Sequence, residues 1–315
     1  MRRAAFVLFL CAACQPFSPV VSPLPPDAGS VTVDDAGTTT GDAGTPADAG
    51  LGDAGLSDDA GTPPVDAGTR CEVTSTSIRC EGQRTAFTTG GLTRDVFWQT
   101  PTTPPPANGY PVVLLFQGSF FPPSGSWNTE VSSTALFGGY YQAKLQAELL
   151  AHGFTVIAPT AAAGVAWQTN NGFPWDTTTD KTFVDGLLVA LGRGDFGPID
   201  SSRRYATGIS SGGYMTSRMA LSYAGQFRAL AIQSASWATC AGAVCFLPTT
   251  LPVDHPPTLL LHGRLDVTVP LFTAQAYASK LTDEGFTTEL VIDDTAGHEW
   301  LSVAPARITA WFETH

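Results

Sequence analysis

From residue 94 to the end of the chain, apolar positions switch between a period of two, continuous short runs and helical spacing. "RDVFWQT" (94–100) alternates polar and apolar residues and predicts an early strand. "YPVVLLFQG" (110–118) is an unbroken apolar run ending in Gly, the pattern of a parallel strand buried on both faces. "YYQAKLQAELLAHG" (140–153) predicts a helix closed by Gly, and "FTVIAPT" (154–160) a strand. "DKTFVDGLLVALGRG" (180–194) carries Phe183, Leu187, Leu188 and Leu191 on one helical stripe. Then follow a strand at "RRYATGIS" (203–210), a helix at 211–224, strands at 227–235 and 257–263, a helix at 270–285, a strand at 287–294 and a last helix at 300–314. Such alternation predicts an α/β fold: a mostly parallel sheet with helices on both faces, whose ligands gather at the carboxyl ends of the strands.

The first 69 residues have another character. "MRRAAFVLFLCAA" (1–13) reads as an export signal: two arginines, an apolar run from Ala4 to Ala13, and small residues, too short to span a membrane permanently. Cys14 after Ala12 and Ala13 resembles the acylated cysteine of a bacterial lipoprotein. Cys11 departs from that pattern, which usually has Leu there, and simple secretion is the alternative. The expected location is therefore the cell envelope or the medium, with membrane contact only through a lipid on Cys14. Residues 14–69 repeat Asp-Ala-Gly seven times, from Asp27 to Asp66, and lack the apolar content to fold. They predict a disordered tether reaching roughly 40 Å as a flexible coil. Irregular spacing and the lack of strand-forming residues argue against calcium-binding repeats. A catalytic domain is expected over 70–315.

This division also changes the reading of charge and cysteine. Nine aspartates and no Lys or Arg lie in residues 15–69, so the formal charge of −12 falls to −5 from residue 70 onward. That is ordinary for a soluble domain, and without a basic patch nucleic acid is not expected as a partner. Of six cysteines, Cys11 leaves with the signal and Cys14 would carry lipid. The remaining four are closely spaced in pairs, Cys71 with Cys80 and Cys240 with Cys245, and favour two local disulfides in an exported chain. No Cys-x-x-Cys pair or His doublet accompanies them, so no metal site is expected. A monomer without a cofactor is expected.

The candidate chemistry lies in "RRYATGISSGGYM" (203–215). Gly208-Ile209-Ser210-Ser211-Gly212 has the spacing Gly-x-Ser-x-Gly where a predicted strand meets a predicted helix, the context of a nucleophile elbow. Only Ser210 is centred between the glycines. A serine hydroxyl needs a base. Of five histidines, His298 in "DDTAGHEW" follows the last predicted strand and is the best candidate; His262, ending an apolar strand, reads as structural. Asp266 in "HGRLDVTVP" stands in a turn after a buried strand and is the best orienting carboxylate, with Asp293 and Asp294 as alternatives. The order Ser…Asp…His is that of α/β-hydrolases.

Over most of 94–315 the chain resembles α/β-hydrolases of the secreted polyhydroxybutyrate depolymerase and feruloyl or acetylxylan esterase type. The resemblance rests on "DKTFVDGLLVAL", "IDSSRRYATGISSGGYM", "HGRLDVTVP" and "GHEW". It implies a serine carboxylic-ester hydrolase with Ser210 as nucleophile, Asp266 as acid and His298 as base. Where relatives carry His-Gly after the early buried strand, this chain reads "FQGSF", with Gln117 in place of the histidine. Because backbone N–H groups stabilise the oxyanion, that change need not abolish the hole, assigned to Ser211 and Ser119 with Gly118 as an alternative. The implied substrate is a polyester or a plant-wall ester. Aromatic-rich loops suggest Trp127, Trp167, Trp175 and Trp237 as substrate contacts. The alternatives are a peptidase of prolyl-oligopeptidase type, disfavoured by the absence of a large N-terminal domain, and a non-catalytic surface binding protein.

Overall fold

In the computed structural model, the structure describes residues 70–127, 130–132, 136–170, 172 and 174–315. The expected export signal, Cys14 and the expected Asp-Ala-Gly tether lie outside the described residues. Among the described residues no helix is long and apolar enough to cross a membrane.

Among the described residues, eleven strands form two sheets. In chain order they are β1 (Cys71–Val73), β2 (Ser77–Cys80), β3 (Gln83–Thr89), β4 (Leu92–Gln99), β5 (Tyr110–Phe116), β6 (Val131–Ser132), β7 (Thr155–Pro159), β8 (Ile199–Ile209), β9 (Ala229–Gln233), β10 (Thr258–Gly263) and β11 (Thr288–Asp293). The helices are α1 (Gly139–Ala151), α2 (Thr179–Arg193), α3 (Ser211–Ser222), α4 (Leu271–Asp283) and α5 (Ala304–Thr314). The large sheet runs β11-β10-β9-β8-β5-β7-β4-β3, parallel from β11 to β7, with β4 and β3 antiparallel at one edge.

Period-two geometry divides the core into layers. On β5, Val113 and Leu115 pack with residues of α1 and α5, while Val112, Leu114 and Phe116 pack with residues of α2 and α3. The α4 residues Tyr277 and Leu281 close the second face over Ile232 and Leu260. The parallel strands β5, β7, β9 and β10 are buried throughout, as their continuous apolar runs predict. Glycine caps end the helices as expected: Gly194 is left-handed after α2, and Gly153 follows α1.

Three differences from the sequence reading have physical causes. Strands β1 to β3 carry few apolar residues, and β3 is an exposed edge strand, so no clear alternation announces them. β8 begins at Ile199, four residues early, where polar and exposed residues continue the pairing with β5. α5 starts at Ala304 rather than Trp300, with Pro305 in its first turn, where a missing N–H costs nothing. Both local disulfides are present: Cys71–Cys80 links directly paired positions of β1 and β2, and Cys240–Cys245 closes a loop after β9.

Candidate active site

Ser210 sits between the last residue of β8 and the first of α3 with φ 55° and ψ −120°, a strained backbone for a residue with a side chain. The two glycines of its motif make the turn possible. A Cβ on Gly208 would lie 2.6 Å from Phe116 O and Gly212 C, and one on Gly212 would lie 2.1 Å from Phe116 O. Neither position can hold a side chain while α3 packs this tightly on the end of β5. The Ser210 N–H donates to Gln233 O at 3.0 Å, which ties the turn to β9.

Asp266 follows β10 and His298 follows β11. They meet because Gly263 lets the second loop fold down onto the first: a Cβ there would lie 2.3 Å from Gly297 O and 2.4 Å from Ala296 O. The His298 Nδ1 lies 2.7 Å from Asp266 Oδ2. Asp266 is buried; its Oδ1 accepts the Thr268 and Val269 N–H groups at 2.9 and 2.8 Å. Burial alone would raise its pKa. Hydrogen bonds from His262, His298 and Val269 outweigh that and hold the carboxyl well below the usual carboxylate range. A carboxylate only accepts, so the proton between the two groups belongs to Nδ1, and the Nε2 of neutral His298 is left as an acceptor. The alternatives for the acid are engaged elsewhere: Asp293 caps its own turn through the Thr295 and Ala296 N–H groups, and Asp294 pairs with Arg264. His262 is fully buried at the end of β10, with Nε2 2.7 Å from Val269 O and 3.4 Å from Asp266 Oδ2.

A cavity of about 190 Å³ opens at this edge, and Ser210, His298 and Ser119 line it. Its apolar wall is Phe120, Phe121, Phe137 and Ile209, with Gln142 and Thr268 adding polar groups. Ser211 is the buried first residue of α3, so its N–H has no partner inside the helix. Gly118 approaches Ser210 closely: a Cβ on it would lie 3.1 Å from Ile209 Cγ2 and 3.9 Å from Ser210 Cβ.

No family model matches the chain. Over 242 residues it is 46% identical to the poly(3-hydroxyoctanoate) depolymerase of Pseudomonas fluorescens, covering 76% of this chain and 86% of that protein. The chain belongs to this depolymerase family. It is a carboxylic ester hydrolase. Solved structures with a similar fold include a candidate dienelactone hydrolase from Klebsiella pneumoniae subsp. pneumoniae, with TM-score 0.51 and 18% identity over 75% of this chain and 99% of that one. Dipeptidyl peptidase 4 of Porphyromonas gingivalis gives TM-score 0.52 at 15% identity over 74% of this chain, which spans about a third (35%) of its length. At those identities the likeness establishes the α/β-hydrolase fold alone.

For this member of the depolymerase family, the expected aromatic contacts need correction. None of the four tryptophans lines the cavity at Ser210. Trp127 packs under α1 against Gly82. Trp167 lies edge-on to Phe116, 5.1 Å between ring centres. Trp175 packs against Tyr223 and the Arg218 guanidinium, and Trp237 among His255 and Tyr277. The indoles are too large to leave exposed, and the loops fold over them. The cavity aromatics are phenylalanines instead. Phe120 is 76% exposed at the rim, and Phe137 stands edge-on to the His298 ring at 5.9 Å. Both are left-handed, at φ 62° and 55°, unusual for bulky residues and shared with Ser210. The aromatic pair in "SFFPPSG" is a sequence signal for Phe120; Phe137 has none.

Gln233 is a second residue without a sequence motif. It is fully buried at the end of β9; its Nε2 donates to Glu299 O at 2.9 Å and its Oε1 accepts the Leu301 N–H at 3.3 Å. It thereby holds the loop that carries His298 and, through its own carbonyl, the N–H of Ser210.

Proposed function

We propose that this chain hydrolyses the ester bonds of a polyester of 3-hydroxy acids with medium-length apolar side chains, through a covalent acyl-enzyme on Ser210. The observation that carries the reading is the apolar cavity at Ser210. A pentyl side chain has four more methylenes to bury there than a methyl group, worth up to about 3 kcal/mol at roughly 0.8 kcal/mol each. The relative named for poly(3-hydroxyoctanoate) supports the same class.

In this mechanism His298 Nε2 takes the hydroxyl proton as Ser210 Oγ attacks the ester carbonyl carbon. The Ser119 and Ser211 N–H groups receive the oxyanion, and Asp266 holds Nδ1–H and stabilises the imidazolium. Collapse breaks the carbonyl-to-alkoxide bond, and the imidazolium proton leaves with the alcohol end of the next unit. Water, deprotonated by His298, then releases the acid and restores Ser210. Export with a lipid on Cys14 belongs to the reading as well. It rests on the signal pattern and predicts metabolic labelling by palmitate that is lost in Cys14→Ala.

The test is a substrate panel: films of poly(3-hydroxyoctanoate) and poly(3-hydroxybutyrate), nitrophenyl esters of four to twelve carbons, a feruloyl ester and proline-containing peptide amides. Release from the octanoate polymer and a nitrophenyl optimum near eight carbons are expected. Peptide cleavage outpacing every ester would overturn the reading.

A further inference from the structure

We infer that the segment 161–167 sets the spacing between the two halves of the oxyanion hole, with Trp167 as the positioning residue that joins them. This rests on the proposal that Ser119 and Ser211 N–H groups receive the oxyanion. Those donors come from different parts of the fold, the loop after β5 and the start of α3. Being main-chain groups, they can be tuned only by where the backbone is held.

Trp167 contacts both parts. Its backbone N–H donates to Ser211 Oγ at 2.8 Å, on the residue whose own N–H is one proposed donor. Its indole Nε1–H donates to Gln117 O at 3.2 Å, two residues before the other. The Gln117 side chain completes the connection. Its Oε1 accepts the Ala161 N–H at 3.0 Å, and its Nε2 donates to Gly164 O at 3.2 Å. Phe120 N–H donates to Val165 O at 2.8 Å, just past Ser119. Gln117, Ser211 and Trp167 are all buried, so these bonds replace water and an orphaned partner would be costly.

The segment is itself held in shape. Ala163 and Gly164 are left-handed, at φ 53° and 71°, in a turn closed by Gly164 N–H to Ala161 O at 2.8 Å. Downstream, Gln168 N–H donates to Asp180, which is buried in an ion pair with Arg94, and Arg218 donates to Thr169. A displacement of Trp167 therefore moves the two N–H groups relative to each other, while Ser210 keeps its bond to Gln233 and His298 its bond to Asp266. Gln117 thereby acquires a role: a primary amide bonds an N–H and a C=O of the facing segment at once.

The test measures Trp167→Phe, which keeps the ring and loses Nε1–H, and Ser211→Ala, which keeps the N–H and loses the Oγ acceptor. Rates are read on a nitrophenyl octanoate ester and by phosphonylation with a fluorophosphonate probe, whose rate constant does not depend on the folded fraction. Each variant is expected to lose about tenfold in kcat and in the phosphonylation rate constant, with KM within twofold and the pH profile unmoved. The double variant should lose little more than either single one, because both open the same bridge. Unchanged rate constants in both variants, with the wild type labelled on Ser210, would overturn the inference alone. A wild type that takes up no probe, or a Ser210→Ala variant that still does, would overturn the nucleophile reading and the inference with it.

Discussion

On one flank of Ser210, the contacts join ionisable side chains from neighbouring loops: Asp266 after β10, His298 after β11, 2.7 Å apart. On the other flank, the loop after β5 and the start of α3 are joined through main-chain groups, by the buried amide of Gln117 and by Trp167. The first flank depends on charge and tautomer, because Asp266 is kept ionised and so fixes which nitrogen of His298 carries the proton. The second depends on spacing, because a backbone N–H has the same chemistry in every residue but proline. Chemical substitutions should therefore be severe on the first flank and graded on the second.

The largest effect is expected from Asp266→Asn. The amide can donate to Nδ1 and favour the wrong tautomer, and kcat should fall about 10⁴-fold with the fold retained. A loss of only tenfold, by stopped-flow on a nitrophenyl ester, would erase the contrast with the tenfold predicted for Trp167→Phe. A smaller loss, about a hundredfold in kcat, is expected from Gly263→Ala. The new methyl must displace the main chain at Ala296 and Gly297, and with it His298, without touching a charged group. Substrate KM should stay within a few-fold; an unaltered kcat would show that the loop absorbs the methyl elsewhere.

The smallest effect is on stability. Asp266 has a folded pKa below its unfolded value, so its contribution is present above about pH 4 and is lost as pH falls toward the folded pKa. Urea midpoints of the wild type and Asp266→Asn should differ by a constant amount between pH 5 and 8 and converge below pH 4. A difference that instead grows on acidification would contradict the sign.

Much of the first flank was legible in the sequence. Gly-x-Ser-x-Gly lies between strand and helix, and the aspartate and histidine each follow a buried apolar run. Both disulfides were legible too, since cysteines that close in sequence have few other partners in reach. The second flank was only partly legible. Ser119 and Ser211 could be named only as candidates, and Gln117 could be seen only as a departure from the expected histidine, not as the amide that bonds the segment 161–167. The tryptophans misled for a related reason: loop position and ring size do not say which way a loop folds, and the packed loops took in the indoles. Phe137 faces His298 through a left-handed backbone that no local preference would suggest.

The pattern of apolar runs determined the α/β architecture by itself, because burial of those runs on both faces leaves few arrangements other than a parallel sheet between helices. The spacing Gly-x-Ser-x-Gly likewise singled out Ser210 as the candidate nucleophile, because only that serine is centred between two glycines at a strand-to-helix junction. Only the tertiary structure decided which aromatic rings reach the cavity, how Gln233 and Gly263 bring His298 to Asp266, and how Trp167 and Gln117 join the loop after β5 to the start of α3. These depend on contacts between residues dozens of positions apart, and on main-chain groups that look alike in every sequence.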